Sequence, residues 1–150
     1  MAGGFTYSTS GFKQLEQRLN KLSREDATKA GQSASRAGAV VVQKATIKEA
    51  PVSQVAEGKQ ITRHNKGGTT RQETHHKISK NIKVNKGKAP EGRVENLVTV
   101  AKGYHASMVN FGSIHNQPNP FMLRALEASK DDYIAAVAKA LNKALIRRGV

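Results

Sequence analysis

Apolar side chains near the start of the chain follow a helical period. They recur every three or four positions, with charged and amide side chains between them, at Phe12, Leu15, Leu19 and Leu22. This period is typical of an amphipathic helix, so we predict a first helix at about 12–23. Residues 1–11 are rich in Gly, Ser and Thr, and we expect them to be flexible.

A second, longer helix is predicted from Ser23 to the residues before Pro51. Ser23 suits an N-cap, and Asp26 places a carboxylate in the first turn. Small apolar side chains then recur at helical spacing, at Ala27, Ala30, Ala34, Ala37, Val41 and Ala45. The helix must end by Ala50, because a proline disfavours helical backbone at the residue before it.

The segment 52–76 lacks both the helical and the strand period. It is rich in Gly, Thr, Gln and His, and its branched aliphatic residues are Val52, Val55 and Ile61. We predict a long polar loop, since such a segment cannot bury enough apolar surface to offset its ordering entropy. Loops of this length are functional or disordered, and we expect this one to be mobile in the free subunit.

Three stretches after this loop alternate between apolar and polar residues, at 78–84, 94–101 and 105–111. The alternation predicts three strands, most simply an antiparallel meander. A helix start is then predicted with Asn119 as its N-cap and Pro120 at the first helical position, and helical spacing continues to about Arg147.

The order of elements predicts an α+β fold. We expect a small antiparallel sheet of about three strands, packed with an N-terminal helix, a long second helix and a C-terminal helix. A chain of 150 residues is the size of one ordinary domain, so residues 1–150 are predicted to form a single domain.

Charge is the most unusual property of the composition. The chain has 25 Lys and Arg against 11 Asp and Glu, a formal net charge of +14. The stretch 59–93 holds ten basic residues, and its acids are Glu73 and Glu91. Such an excess favours polyanionic partners, either nucleic acid or acidic protein surfaces.

One group of basic residues lies on the first predicted strand and its following turn: Lys77, Lys80, Lys83, Lys86, Lys88 and Arg93. We expect Lys77 and Lys83 to share a side opposite Lys80, because a strand projects alternate residues to one face. One hypothesis is contact with an acidic partner ring or with DNA. The other is a solvated edge, since lysines guard exposed strands against aggregation.

Catalytic signatures are missing from the sequence. There is no Cys, which excludes disulfides, thiolate metal sites and a cysteine nucleophile. His75 and His76 are adjacent, so on a strand they would point to opposite faces and could not chelate one ion together. Neither a phosphate-binding loop nor a Gly-x-Ser-x-Gly elbow occurs. We therefore expect no enzyme, cofactor or metal, and no membrane contact, because no apolar run is long enough to span a bilayer.

The C-terminal third carries a distinctive motif. It runs from Tyr104-His105-Ala106 through Asn110-Phe111-Gly112-Ser113 to Gln117-Pro118-Asn119-Pro120-Phe121 and Arg124. This order resembles the tail-completion, head–tail joining family of long-tailed bacteriophages, the small neck or minor tail proteins that include the Z-like proteins of lambdoid phages. Phe12 to Leu19, Ala37 to Val52 and Lys77 to Ile82 resemble other parts of that family, whereas Asn110 stands where it usually has Glu.

The resemblance implies a structural virion protein of the phage neck, assembled in the host cytoplasm. Its implied partners are further copies in a sixfold ring, the head–tail connector, the tail terminator or tail tube, and the DNA in the channel. The motif residues that would serve structure or interfaces are Tyr104, Ala106, Val109, Phe111, Gly112, Ser113, Pro118, Pro120, Phe121 and Arg124. We expect Phe111 and Phe121 to be buried and Gly112 to allow a sharp exit. The alternative is a basic accessory protein that binds nucleic acid without sequence preference.

Overall fold

A computed structural model describes residues 9–103 and 105–150, with side chains described from residue 13 onward. Most of the predicted flexible segment 1–11 lies outside this part, and its last residues begin the first helix. The elements are α1 (Thr9–Leu19), α2 (Arg24–Glu49), β1 (Gln60–His64), β2 (Thr70–Thr74), a 3-10 turn (Ile78–Lys80), β3 (Ile82–Lys86), β4 (Asn96–Val100), α3 (Ala106–Phe111), α4 (Phe121–Ala128) and α5 (Lys130–Ile146). The α+β class is confirmed.

Helix α2 forms the central support of the fold, and its predicted ends are confirmed. The Ser23 hydroxyl accepts a hydrogen bond from the Asp26 N–H at 3.2 Å. Ala50 leaves the helix in extended backbone directly before Pro51. Helices α4 and α5 and strands β3 and β4 all pack on α2. The small residues along it allow this, because they let other elements approach its backbone closely.

Strands β3 and β4 form an antiparallel pair in which Ile82 lies opposite Val100 and Val84 opposite Val98. Side-chain amides fix the pair to α2, since Gln43 donates to the Ile82 carbonyl at 2.9 Å and Gln32 to the Asn96 side chain at 3.0 Å. The pair closes one side of a buried cluster whose members are Ala50, Ile78, Ile82, Ala106 and Phe121.

The prediction of a third strand at 105–111 is wrong, because α3 occupies Ala106–Phe111. The apolar residues of this stretch also fit helical spacing, and a short run does not separate the two periods. Ala106 and Asn110 are buried four positions apart, while Met108 and Phe111 are exposed. The meander is therefore replaced by two separate two-stranded sheets, β1–β2 and β3–β4.

The prediction that residues 52–76 form a loop without regular structure is wrong. They contain the antiparallel hairpin β1–β2, closed by a turn in which Gly68 takes a positive φ of 76°. The Asn65 N–H donates to the Thr69 carbonyl at 2.9 Å across this turn. Threonines supply the β propensity that aliphatic side chains supply elsewhere.

Three predicted boundaries also shift. The first helix ends at Leu19 instead of continuing to 23, and the strand predicted at 78–84 begins at Ile82 after the 3-10 turn. The single C-terminal helix is divided into α4 and α5 at Ser129. Its buried hydroxyl donates to the Ala125 carbonyl at 2.7 Å, and such a bond back to the preceding turn bends helices.

Candidate functional site

The motif of the C-terminal third builds a loop that is closed at its base. The loop, residues 112–118, connects α3 to α4. The Asn119 N–H donates to the Val109 carbonyl at 2.9 Å, and the Met122 N–H donates to the Asn110 side-chain oxygen at 3.3 Å. Asn110 thus accepts from the first turn of α4, where N–H groups lack helical partners. A Glu at this position could accept the same bond.

Some motif residues form the core beneath this loop. Ala106 and Phe121 belong to the buried cluster, and Val109 packs against it. The burial predicted for Phe121 is confirmed, since none of its surface is exposed. The burial predicted for Phe111 is wrong, because 77% of its surface is exposed. Tyr104 lies outside the described residues.

The end of α3 and the loop after it present apolar side chains to solvent. Gly112 has a φ of 84°, which the chain needs for its sharp exit from α3, and an added Cβ would lie 2.9 Å from the Pro118 ring. Ser113 and Asn116 pair across the tip of the loop. Ile114, between them, is 94% exposed. We call Phe111 and Ile114 the apolar tip.

Arg124 and Pro120 hold the far end of the motif. Pro120 directly precedes the first residue of α4, and its carbonyl accepts from the Arg124 N–H at 3.1 Å. The Arg124 guanidinium donates to Asn119 at 2.8 Å and to Glu49 of α2 at 3.2 Å. Asn119 therefore orients Arg124, whereas the sequence predicted that it would cap the helix itself.

The predicted basic group does not lie along one strand. Lys83 and Lys86 belong to β3, at positions that face opposite sides, and Lys80 lies in the 3-10 turn. The prediction that Lys77 and Lys83 share one side of a strand, opposite Lys80, is therefore wrong. Lys77 is half-buried, and the exposed members of the group are Lys80, Lys83, Lys86, Lys88 and Arg93.

Lys86 and Arg93 instead share a cleft of about 850 Å³ between α2 and the loop that follows β3. Helix α2 adds basic side chains that the sequence interpretation missed: Arg24, Lys29 and Arg36. Lys29 and Arg36 are seven positions apart, a spacing that places them on one side of α2, and this is the signal that could have revealed them. Carboxylates also line the cleft, and Arg24 pairs with Glu91 at 3.3 Å. The cleft is therefore a mixed, charged surface.

Glu57 fastens the base of the β1–β2 hairpin to the rest of the chain. Its carboxylate accepts from the Lys77 backbone N–H and lies 2.8 Å from His76 Nδ1. The Lys77 hydrogen bond, followed by that of His76, lowers the pKa of Glu57 to about 2. Nearby, the rings of His75 and His105 stack at 5.5 Å. Burial, and then the neighbouring His75, lowers the pKa of His105.

We predict that Glu57 makes stability depend on pH. The folded-state pKa of about 2 lies below the ordinary value of 4.5, so the folded protein binds fewer protons than the unfolded chain. The stabilisation by Glu57 is therefore present above pH 4.5 and is lost as the pH falls towards 2. Urea unfolding should show Glu57→Gln less stable than the parent at pH 7, with a smaller difference at pH 2.

Glu91→Gln is the control for this prediction, because Glu91 is exposed and its ion pair with Arg24 is screened by solvent. We expect the same stability difference from the parent at both pH values. A Glu57→Gln variant with a constant difference from the parent would contradict the assignment.

Comparison with known families decides the class of protein. Residues 13–112 match the family model of the bacteriophage HK97 gp10 tail component. The chain belongs to the HK97-gp10-like family. No curated protein and no solved structure shows significant similarity to it.

The match covers α1 to α3, including the basic stretch 59–93, and ends at Gly112 within the motif. The match confirms the resemblance to phage tail and neck proteins that the sequence motif indicates. As a phage tail component it is a structural protein of the virion and interacts with other tail or neck proteins. Membership favours this interpretation over an accessory protein that binds nucleic acid.

In 9–103 and 105–150, no three His, Asp or Glu side chains are placed to hold a metal ion together. In the same ranges, every helix is too short or too polar to cross a membrane.

Proposed function

We propose that this tail component completes the tail and joins it to the head, as one subunit of a ring around the DNA channel. The observation that supports the proposal is the apolar tip, formed by Phe111 at the end of α3 and Ile114 on the closed loop that follows. Its role there is structural and not catalytic. The sixfold order of the ring comes from the resemblance of the motif.

The apolar tip is suited to a contact between subunits. Leaving a Phe and an Ile in water forgoes about 1.5–3 kcal/mol for each side chain that could be buried. Hydrogen bonds close the base of the loop, and no other part of the described chain buries these two side chains. A closed ring needs one patch that meets a different patch on the next copy. The apolar tip would be one of these two patches.

The exposed basic residues would serve the contacts along the ring axis. Lys80, Lys83, Lys86, Lys88 and Arg93 are available either to an acidic neighbouring ring or to DNA. Their charge would steer such a partner and set the salt dependence of joining. Solubility alone is the other role open to them.

The test replaces both residues of the apolar tip, as Phe111→Ser with Ile114→Ser. Light scattering after size-exclusion chromatography should show that the parent protein forms a ring and that this variant stays monomeric. In a phage that lacks the parent gene, the variant should leave full heads and tails unjoined, with few infectious particles.

The matched control is Val52→Ser with Ile146→Ser, which also removes two exposed aliphatic side chains, 86% and 62% exposed. This control should assemble and restore infectivity. If the apolar-tip variant assembles and restores infectivity as well as the control does, the proposed interface is refuted.

A further inference from the structure

The β1–β2 hairpin is a second charged feature, separate from the basic group that the sequence indicated. Most of its residues are exposed. Among the described elements, its strands contact each other far more than any helix or other strand. From 59 to 74 it carries one acid, Glu73, and its basic side chains are Lys59, Arg63, Lys66 and Arg71.

The two faces of the hairpin differ in chemistry. Arg63 lies directly opposite Arg71, and Ile61 directly opposite Glu73, so these four residues share one face. The other face carries polar hydrogen-bonding groups throughout, from Gln60, Thr62, His64, Thr70, Gln72 and Thr74. One face is thus cationic and the other offers hydroxyl, amide and imidazole groups.

Opposed arginines do not stabilise a hairpin. Like charges directly opposite each other are destabilising, and the carboxylate of Glu73 is shared between them, at 2.9 Å from Arg63 and 3.7 Å from Arg71. A two-stranded hairpin is already marginal in water. One carboxylate beside two guanidinium groups leaves this face with a net positive charge, to which a further anion can bind.

A groove beside β2 extends the cationic surface. It has a volume of about 610 Å³, and Lys102, from the turn after β4, lines it together with Arg71 and His76. Lys102 thus adds a positive charge from outside the hairpin. The anion that fits this surface carries several separated negative charges.

We infer that the hairpin contacts the phosphate backbone of double-stranded DNA. Arginine and lysine bind phosphates, and threonine, glutamine and backbone N–H groups add hydrogen bonds to the same oxygens. A two-stranded ribbon also has the width that the major groove admits. A protein partner would favour apolar and aromatic side chains at the contact, and between 59 and 74 the hairpin offers Ile61 alone.

The inference rests on the proposed function in one respect, which is that the hairpin would meet DNA in the channel of the ring. The test therefore uses free DNA and the full chain. It compares the parent with a hairpin variant, Lys59→Gln, Arg63→Gln, Lys66→Gln and Arg71→Gln. The matched control removes four exposed lysines from α2 and α5, as Lys44→Gln, Lys48→Gln, Lys139→Gln and Lys143→Gln.

Fluorescence anisotropy with a labelled 30-base-pair duplex measures the affinity over a range of salt concentrations. Four lost phosphate contacts should lower the slope of log affinity against log salt by about 3–4 and weaken binding about tenfold or more. The control should keep the parent's slope and affinity to within about threefold, because its lysines lie away from the hairpin. Circular dichroism checks that both variants remain folded.

Equal losses in the hairpin variant and the control would overturn the inference, because net charge alone would explain them. Parent-like DNA binding by the hairpin variant would overturn it as well. If that variant also failed to restore infectivity, the hairpin's partner would be an acidic protein surface. If the apolar-tip variant fails to form a ring but binds DNA normally, ring formation and DNA binding are separate, and the hairpin's role in DNA binding is supported.

Discussion

Truncation of Phe121 to Ala should lower the free energy of unfolding by about 3–5 kcal/mol. Phe121 is fully buried at the first residue of α4, among Ala50, Ile78, Ile82 and Ala106. Two of these neighbours are alanines, which cannot reach into the space that the ring leaves. The cavity would therefore persist, and its cost adds to the lost burial of the ring.

Phe111→Ala is the control, ten residues earlier in the same motif. Its ring is 77% exposed in the single subunit, so in dilute protein, where the subunits are not assembled, we expect a change within about 0.5 kcal/mol, as for surface substitutions in general. Urea unfolding of the isolated protein measures both variants, with equal slopes showing that the comparison concerns stability. Equal destabilisation by the two substitutions would contradict the placement of Phe111.

The best sequence predictions concern α2, where several local signals agree. Ser23 supplies a capping hydroxyl, the small apolar residues keep one period over about five turns, and Pro51 ends the helix. Each signal acts through its own backbone neighbours, so none depends on the rest of the fold. The α+β class follows from such long elements.

Short elements were predicted less well because packing decides them. In 105–111, alternation groups Val109 with Phe111 and helical spacing groups Val109 with Ala106, and the contact of Ala106 with the buried cluster selects the helix. Phe111 then falls on the outer side of α3. Its exposure is the feature on which the proposed ring contact rests, and hydrophobicity alone predicts the opposite.

The hairpin has a local signal in the sequence, although its strands lack the aliphatic alternation that usually indicates a strand. Asn65-Lys66-Gly67-Gly68 is a turn sequence between two stretches rich in threonine. The pairing of Arg63 with Arg71 depends on the register and therefore needs the structure. The cleft beside α2 likewise joins residues that are far apart in the sequence, such as Arg24 and Arg93, about seventy positions apart.

Gly38→Ala should destabilise the protein through the contact between α2 and α5. A Cβ at this position would lie 2.5 Å from the Tyr133 ring and 2.6 Å from Val137 Cγ2. The ring can move, but the β-branched Val137 is stiff within a helix. We expect overpacking to cost about 1–3 kcal/mol, against a gain of about 1 kcal/mol from the better helix propensity of Ala.

Gly31→Ala tests the same substitution two turns earlier in α2 and should have the opposite sign. The nearest atom to its added Cβ is Val94 Cγ2 at 3.5 Å, an ordinary contact distance. Helix propensity is then unopposed and should stabilise the protein by about 0.5–1 kcal/mol. Urea unfolding of both variants gives the comparison directly. If both alanines stabilise the protein alike, α2 and α5 do not approach each other closely at Gly38.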